Sequence, residues 1–162
     1  MYKYISILLL FVSSFVNAEV ITDCDKNRVD ELFCAACNIY HESRGEGIEG
    51  MEAVAWVMVN RRNDERFPTN ACDIVWAKPY GHAEFSWTED GSPDYVVNMD
   101  AWNDSITSAY DIVGAGSTDL DLSDDPTMGA IFYHNNTIKG GGWWKTLLVT
   151  NEIGNHRFYV DY

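Results

Sequence analysis

The stretch Cys34-Ala35-Ala36-Cys37-Asn38-Ile39-Tyr40-His41-Glu42-Ser43-Arg44-Gly45-Glu46 decides the fold. Read from Asp30 onward, Leu32, Phe33, Ala36, Cys37, Ile39 and Tyr40 recur at spacings of three and four. That period places them on one face of a helix from Asp30 to Ser43. Gly45 and Gly47 are placed to end it, since glycine tolerates the turn that closes a helix. Glu42 then stands in the last turn, where unpaired carbonyls create a negative potential. A second negative charge is disfavoured there, and Tyr40 and Phe33 add apolar neighbours. Both effects raise the affinity of the Glu42 carboxyl for its proton at neutral pH. A general acid for glycosidic cleavage needs that property. Helix-terminal glutamates are ordinarily solvated, so position alone does not identify one.

Working outward, a second helix runs from about Glu49 to Arg62. Met51, Val54, Ala55 and Met58 form its stripe, widened by Trp56 and Val57. Thr69, after Pro68, is placed to cap a short helix through Ala77, with Asp73 near the capping-box position. A longer helix starts near Asp100 and stops at Gly114, with Trp102, Ile106, Ala109, Tyr110 and Val113 inward. Tyr80 to Met99 reads as a long ordered loop or a small strand pair around Phe85-Ser86-Trp87. Asp119, Asp121, Asp124 and Asp125 lack the glycine and terminal glutamate of an EF-hand, so they read as a solvated acidic loop. Ala130 to Tyr133 and Phe158 to Tyr162 are short β-like runs. The sum is an α+β domain, mainly helical with a small sheet.

The N-terminus carries Lys3, a mostly apolar run from Ile5 to Val16, and then Asn17-Ala18. This reads as a secretory signal peptide over residues 1–18, followed by one domain over 19–162. The run is short of the roughly 20 apolar residues of a membrane span, so no permanent span is expected. Across 162 residues, 11 basic and 25 acidic side chains give a net charge of −14. Such a surface is wrong for a nucleic-acid binder, which needs clustered Lys and Arg against phosphates. Export also sets the chemistry of the four cysteines. Cys34, Cys37 and His41 share a helical face, and Cys72 completes a possible zinc set. An oxidising compartment favours disulfides instead, in any of three connectivities. No metal and no cofactor are expected.

The run from Cys34 to Glu46 resembles the signature of the cell-wall hydrolases typified by the spore cortex-lytic enzyme SleB. The likeness continues through Gly50–Arg61, Arg66–Val75, Glu84-Phe85-Ser86-Trp87, Ala130–His134 and Ile153–Tyr159. The resemblance implies a lysozyme-like fold and a lytic transglycosylase acting on peptidoglycan glycan strands as a monomer. It makes Glu42 the catalytic residue. Glu84, Phe85, Ser86 and Trp87, with Tyr133 and His134, become candidates for substrate binding or for orienting Glu42. Glu84 is a departure, because the family often has Gln there. Arg44 is expected to brace the loop after the first helix. Glu46 is expected either to tune Glu42 or, preferably, to pair with Arg44 or Arg61. Trp143 and Trp144, after Gly140-Gly141-Gly142, are candidates for a groove edge. The resemblance also implies a Cys34–Cys72 disulfide, which leaves Cys24 with Cys37.

Two other functions compete. One is a peptidoglycan-binding module that kept the fold without catalysis. The other is a stem-peptide peptidase with Cys72 as nucleophile and His134 as base. A compact exported catalytic domain suits bacterial wall remodelling and, as an endolysin, bacteriophage-driven host lysis alike. The charge has its own consequence, because peptidoglycan also carries carboxylates. Salt that shortens the screening length to about 8–10 Å should raise activity on whole walls. A rate that only falls as salt is added from very low ionic strength would contradict this.

Overall fold

Asp30 starts the first helix from just outside it. Its carboxylate accepts from the Leu32 and Phe33 amides at 3.0 and 3.1 Å, satisfying two of the donors a helix leaves unpaired. Helix α1 then runs Glu31–Ser43. The computed structural model describes residues 22–115, 120–138 and 142–161. The signal peptide expected over residues 1–18 lies outside the described residues, as do Asp119, Gly140 and Gly141. No described helix is long and apolar enough to cross a membrane.

Only Arg44, Gly45 and Glu46 separate α1 from α2, which spans Gly47–Arg62. Gly47 does not end α1, as the sequence suggested. It opens α2 with a left-handed φ of 72°, a conformation available to glycine without steric cost. Helix α2 is buried almost all round from Ala53 to Val59, so it has no solvated face along its middle. On one side it joins a core with α1. On the other, Ala53 and Val57 pack with Ala130, Ile153 and Phe158.

Helix α3, Ala71–Val75, is capped by Asn70 rather than Thr69. Asn70 Oδ1 accepts from the Cys72 and Asp73 amides at 2.9 and 3.3 Å. That one-residue shift puts Asp73 at the third helical position, where a capping-box acid belongs. Helix α4, Met99–Ser108, continues into a wider π-helical turn over Ala109–Val113. The buried face runs through Ala101, Trp102, Ser105, Ser108, Ala109, Ile112 and Val113. Ile106 and Tyr110, expected inward, are 44% and 68% exposed, while Ser105, Ser108 and Ile112 are buried. Ser105 tolerates burial because its hydroxyl donates to the Ala101 carbonyl at 2.7 Å.

Residues 80–98 form a loop with short 3₁₀ turns at Pro79–Gly81 and Ser86–Thr88, not a strand pair. The buried Tyr40 hydroxyl accepts from the Val97 and Asn98 amides, both at 3.0 Å, and fixes its end. The sheet has three antiparallel strands: β1 Phe132–Asn135, β2 Leu148–Ile153 and β3 His156–Val160, with β3 central. Strand β2 is missing from the sequence reading. Its Thr150-Asn151-Glu152 segment is polar, and a bulge between Val149 and Asn151 breaks the alternation.

Asp125 corrects the reading of a solvated acidic loop. It is buried and accepts from the Thr127 amide and hydroxyl and from the Gly129 amide at 2.7–2.8 Å. Asn60 of α2 donates to Asp125 at 2.8 Å and to the Ala130 carbonyl at 3.0 Å. The entry to β1 is thereby tied to α2. Asp121 does take a local role, accepting from the Ser123 amide at 2.9 Å.

All four cysteines are paired, as Cys24–Cys37 and Cys34–Cys72. With every thiol in a disulfide, neither the zinc set nor a Cys72 nucleophile survives. The second bridge clips α1 to α3. Replacing Cys34 and Cys72 together by Ser should cost about 2–4 kcal/mol of unfolding free energy. Urea unfolding checks this, and an unchanged midpoint would contradict it.

Candidate active site

Three elements converge on one cleft of about 510 Å³: the end of α1, the end of α2, and strand β1. Glu42 comes from the last turn of α1 and is half-buried in the wall. From across the cleft, the Tyr133 hydroxyl of β1 donates to Glu42 Oε2 at 3.2 Å. Arg61 comes from the last turn of α2 and is only 3% exposed. Its Nε donates to the Ile131 carbonyl at 2.8 Å, and its Nη2 pairs with Glu84 Oε1 at 2.7 Å. Phe67, Phe85 and Phe132 surround its guanidinium at 5.1, 5.2 and 6.0 Å.

Loss of water dominates the electrostatics of Glu42. Burial pushes its carboxyl up to about 7, against the Tyr133 hydrogen bond and the Arg61 charge, both of which favour the carboxylate. The apolar surroundings are not those read from the sequence. Phe33 packs on Trp102 at 5.9 Å, and the Tyr40 hydroxyl is engaged by the 97–98 backbone. Tyr133 itself is held well above the ordinary phenol value, by burial first and by the Glu42 charge second. It therefore acts as a proton-bearing donor throughout the neutral range. His41 lies beside Glu42 and is pulled down to about 4, by burial and then by the Arg44 charge. It is neutral at neutral pH, and its ring stacks on Trp87 at 4.5 Å.

The remaining candidates separate into wall, rim and scaffold. Phe85 and Trp87 are buried. Trp87 Nε1 donates to Asn38 Oδ1 at 3.1 Å, and its ring meets His41 and Trp76. They build the wall, and Ser86 is exposed on its rim. Open aromatic surface comes instead from Trp143, 55% exposed and 5.6 Å from Phe132. His134 lines the cleft without bonding to Glu42. It stacks between Trp144 at 4.1 Å and Tyr159 at 5.4 Å, and its Nδ1 is 3.0 Å from the Tyr159 hydroxyl. Trp144 needs the glycine beside it. A Cβ on Gly142 would fall inside the indole ring's van der Waals contact. Arg44 is exposed at the cleft mouth, with Nη1 3.5 Å from His41 Nδ1.

Glu46 pairs with neither Arg44 nor Arg61. It accepts from the Asn155 amide and side chain at 2.7 and 3.1 Å, which docks the β2–β3 turn onto the start of α2. Several residues of the site escaped the sequence reading as site residues, among them Phe132, Arg61 and His156. Arg61 falls three residues after Met58 on the apolar stripe of α2, a signal of a buried cation that was available. His156 faces the cleft from β3, ring to ring with Tyr133 at 5.3 Å, and nothing local in the sequence marks it.

A family model described as Cell Wall Hydrolase matches residues 45–159. The matched span covers the Arg61, Glu84 and β1 side of the cleft and begins three residues after Glu42. A spore cortex-lytic enzyme of Oceanobacillus iheyensis is 30% identical over 122 residues, covering 74% of this chain and 38% of that protein. One from Halalkalibacterium halodurans is 28% identical over 120 residues, covering 74% and 32%. The chain thus spans about a third of the length of these relatives. Among solved structures, the catalytic domain of the germination-specific lytic transglycosylase SleB from Bacillus anthracis superposes with a TM-score of 0.62 at 26% identity. It covers 80% of this chain and 93% of that one. The Bacillus cereus SleB catalytic domain gives 0.56 at 27%, covering 80% and 89%. The small-sheet, mainly helical α+β fold is therefore the lysozyme-like fold of these catalytic domains.

A raised carboxyl carries a stability cost with a definite sign. The folded protein holds the Glu42 proton more tightly than the unfolded chain does. Its contribution is intact below about 4.5 and is lost as pH rises through about 7. Glu42→Gln should therefore match the parent at pH 4 and exceed it at pH 8 by on the order of 2–3 kcal/mol. Thermal unfolding at both pH values checks this; equal stability at pH 8 would contradict it.

Proposed function

Because the chain belongs to the cell wall hydrolase family, we propose that it degrades peptidoglycan after export, as a lytic transglycosylase. The bond cut is the glycan link between N-acetylmuramic acid and N-acetylglucosamine. The observation that carries this reading is the Glu42 carboxyl, pushed up to about 7 in a cleft where the Tyr133 hydroxyl fixes its orientation. Such a group holds a proton at neutral pH and releases it without a large penalty. It can serve as acid and as base within one cycle.

The steps follow from that property. The protonated Glu42 gives its proton to the glycosidic oxygen as the C1–O bond breaks, and the leaving sugar departs as an alcohol. The substrate's own N-acetyl oxygen covers the anomeric carbon meanwhile, so no second enzymic carboxylate is needed. The Glu42 carboxylate then takes the proton of the muramic C6 hydroxyl. The C6 oxygen bonds to C1 and the N-acetyl oxygen withdraws, leaving a 1,6-anhydro end and a reprotonated Glu42. Tyr133 remains a donor to Glu42 in both states. Trp143 and Phe132 offer ring faces to the C–H surfaces of the sugars.

Export is supported by the two disulfides, which form and persist in oxidising compartments, and by the signal-like N-terminus. Mass spectrometry of digested peptidoglycan is the test. The expected product is a muropeptide with an anhydro-muramic end, and Glu42→Gln should lower its formation at least about 100-fold. Plain reducing ends would contradict the transglycosylase step. A protein that sediments with walls but leaves them uncut would make it a binding module.

A further inference from the structure

The pair of buried Arg61 with half-buried Glu84 is a charge pair that the proposed reaction does not use. Arg61 is 3% exposed, and two of its three nitrogens are committed, to Ile131 and to Glu84. Its Nη1 is buried with no partner among the described residues. The guanidinium stands in the wall of the Glu42 cleft, close enough for its charge to favour the Glu42 carboxylate. An arginine is always charged, so its effect on Glu42 depends on what balances it.

We infer that Glu84 is a positioning residue for the acid: by pairing with Arg61 at 2.7 Å it balances the guanidinium buried beside Glu42 and so keeps Glu42 protonated. This deepens the reading of Glu42 as the acid and rests on it. The other groups facing Glu42 do not provide the balance. From α1 come His41, neutral at neutral pH, and Arg44, an exposed cation at the mouth. Strand β1 supplies Tyr133, which keeps its proton, and His134. Strand β3 supplies His156, and burial holds both these imidazoles below their usual value. Asp90, on the same loop as Glu84, lines the cleft but is exposed to solvent. Glu84 alone among these carboxylates contacts the guanidinium directly. Removing it takes away the negative charge that offsets the guanidinium, so the Arg61 charge acts on Glu42 unopposed.

The test reads Glu42 without reading activity. The protein is labelled at its glutamate carboxyl carbons, and the Glu42 signal is identified by its loss in Glu42→Gln. Its titration midpoint should fall by about one unit or more in Glu84→Gln, a tenfold larger ionisation constant. Glu84→Asp, which keeps the charge, should restore it toward the parent value. The double variant Arg61→Gln with Glu84→Gln removes both charges and should lie near the parent. It also keeps the test open if the single variant does not fold. The alkaline limb of the kcat/KM profile on glycan strands should move to lower pH with the midpoint. A Glu42 midpoint that is the same in Glu84→Gln as in the parent would overturn the inference, as would a double variant shifted as far as the single one. If Glu42 is not the acid, Glu42→Gln keeps cutting glycan while these midpoints still move, so the two failures are distinct.

Discussion

Arg61 is a permanent cation taken out of water, and the arrangement of the site depends on how its bonds are satisfied. A buried guanidinium is costly unless its donors are paired. The Ile131 carbonyl and the Glu84 carboxylate supply two of those pairs. The first fixes the residue before β1, and the second fixes the loop that carries Phe85 and Trp87. The preceding residue, Asn60, binds Asp125 and the Ala130 carbonyl. One turn of α2 therefore sets where β1 begins, and β1 delivers Tyr133 to Glu42. Breaking one partner would leave an uncompensated charge inside the protein, which is among the more destabilising changes available.

The proposed reaction asks the cleft to combine two requirements that normally conflict. A carboxyl that must stay protonated needs little water and little positive charge around it. A carboxyl that must later ionise needs a donor already in place. Tyr133 meets the second need, because burial keeps its proton on across the neutral range. The imidazoles of His41, His134 and His156 are all held below their usual value. They line the same cleft without adding positive charge at neutral pH. Rigid elements carry each part, since α1 and α2 are joined to α3 and to the sheet by a disulfide, by Asn60 and by Glu46.

Helix α1 was legible from its apolar spacing, and α2 from a long apolar run that is buried almost all round. Helix α4 was legible in extent and in Trp102, Ala109 and Val113, but its buried face also takes in Ser105 and Ser108, small polar residues that do not announce burial, while Ile106 and Tyr110 stay exposed. Strand β2 was hidden by its polar middle and its bulge. Asp125 and Glu46 were misread for a shared reason. Their partners, Asn60 and Asn155, lie 65 and 109 residues away, and only the fold brings them together. Glu42 was legible as a candidate because the run from Cys34 to Glu46 resembles the family signature, its place at a helix end adding a reason but not identifying it. The cause of its raised carboxyl was not, since the cleft that removes its water is assembled from segments far apart in the chain. Trp87, a candidate for substrate binding, is a wall, because His41 occupies its face. The platform with exposed ring is Trp143.

The proposed reaction requires Glu42 to meet the bond that breaks. The most direct measurement is a crystal structure of Glu42→Gln bound to a peptidoglycan tetrasaccharide. The expected result is the scissile glycosidic oxygen within hydrogen-bond distance of the side-chain amide at position 42, with a sugar ring against Trp143. A tetrasaccharide seated over the neighbouring hollow of Phe67, Pro79 and Tyr80, with no sugar oxygen near position 42, would contradict it.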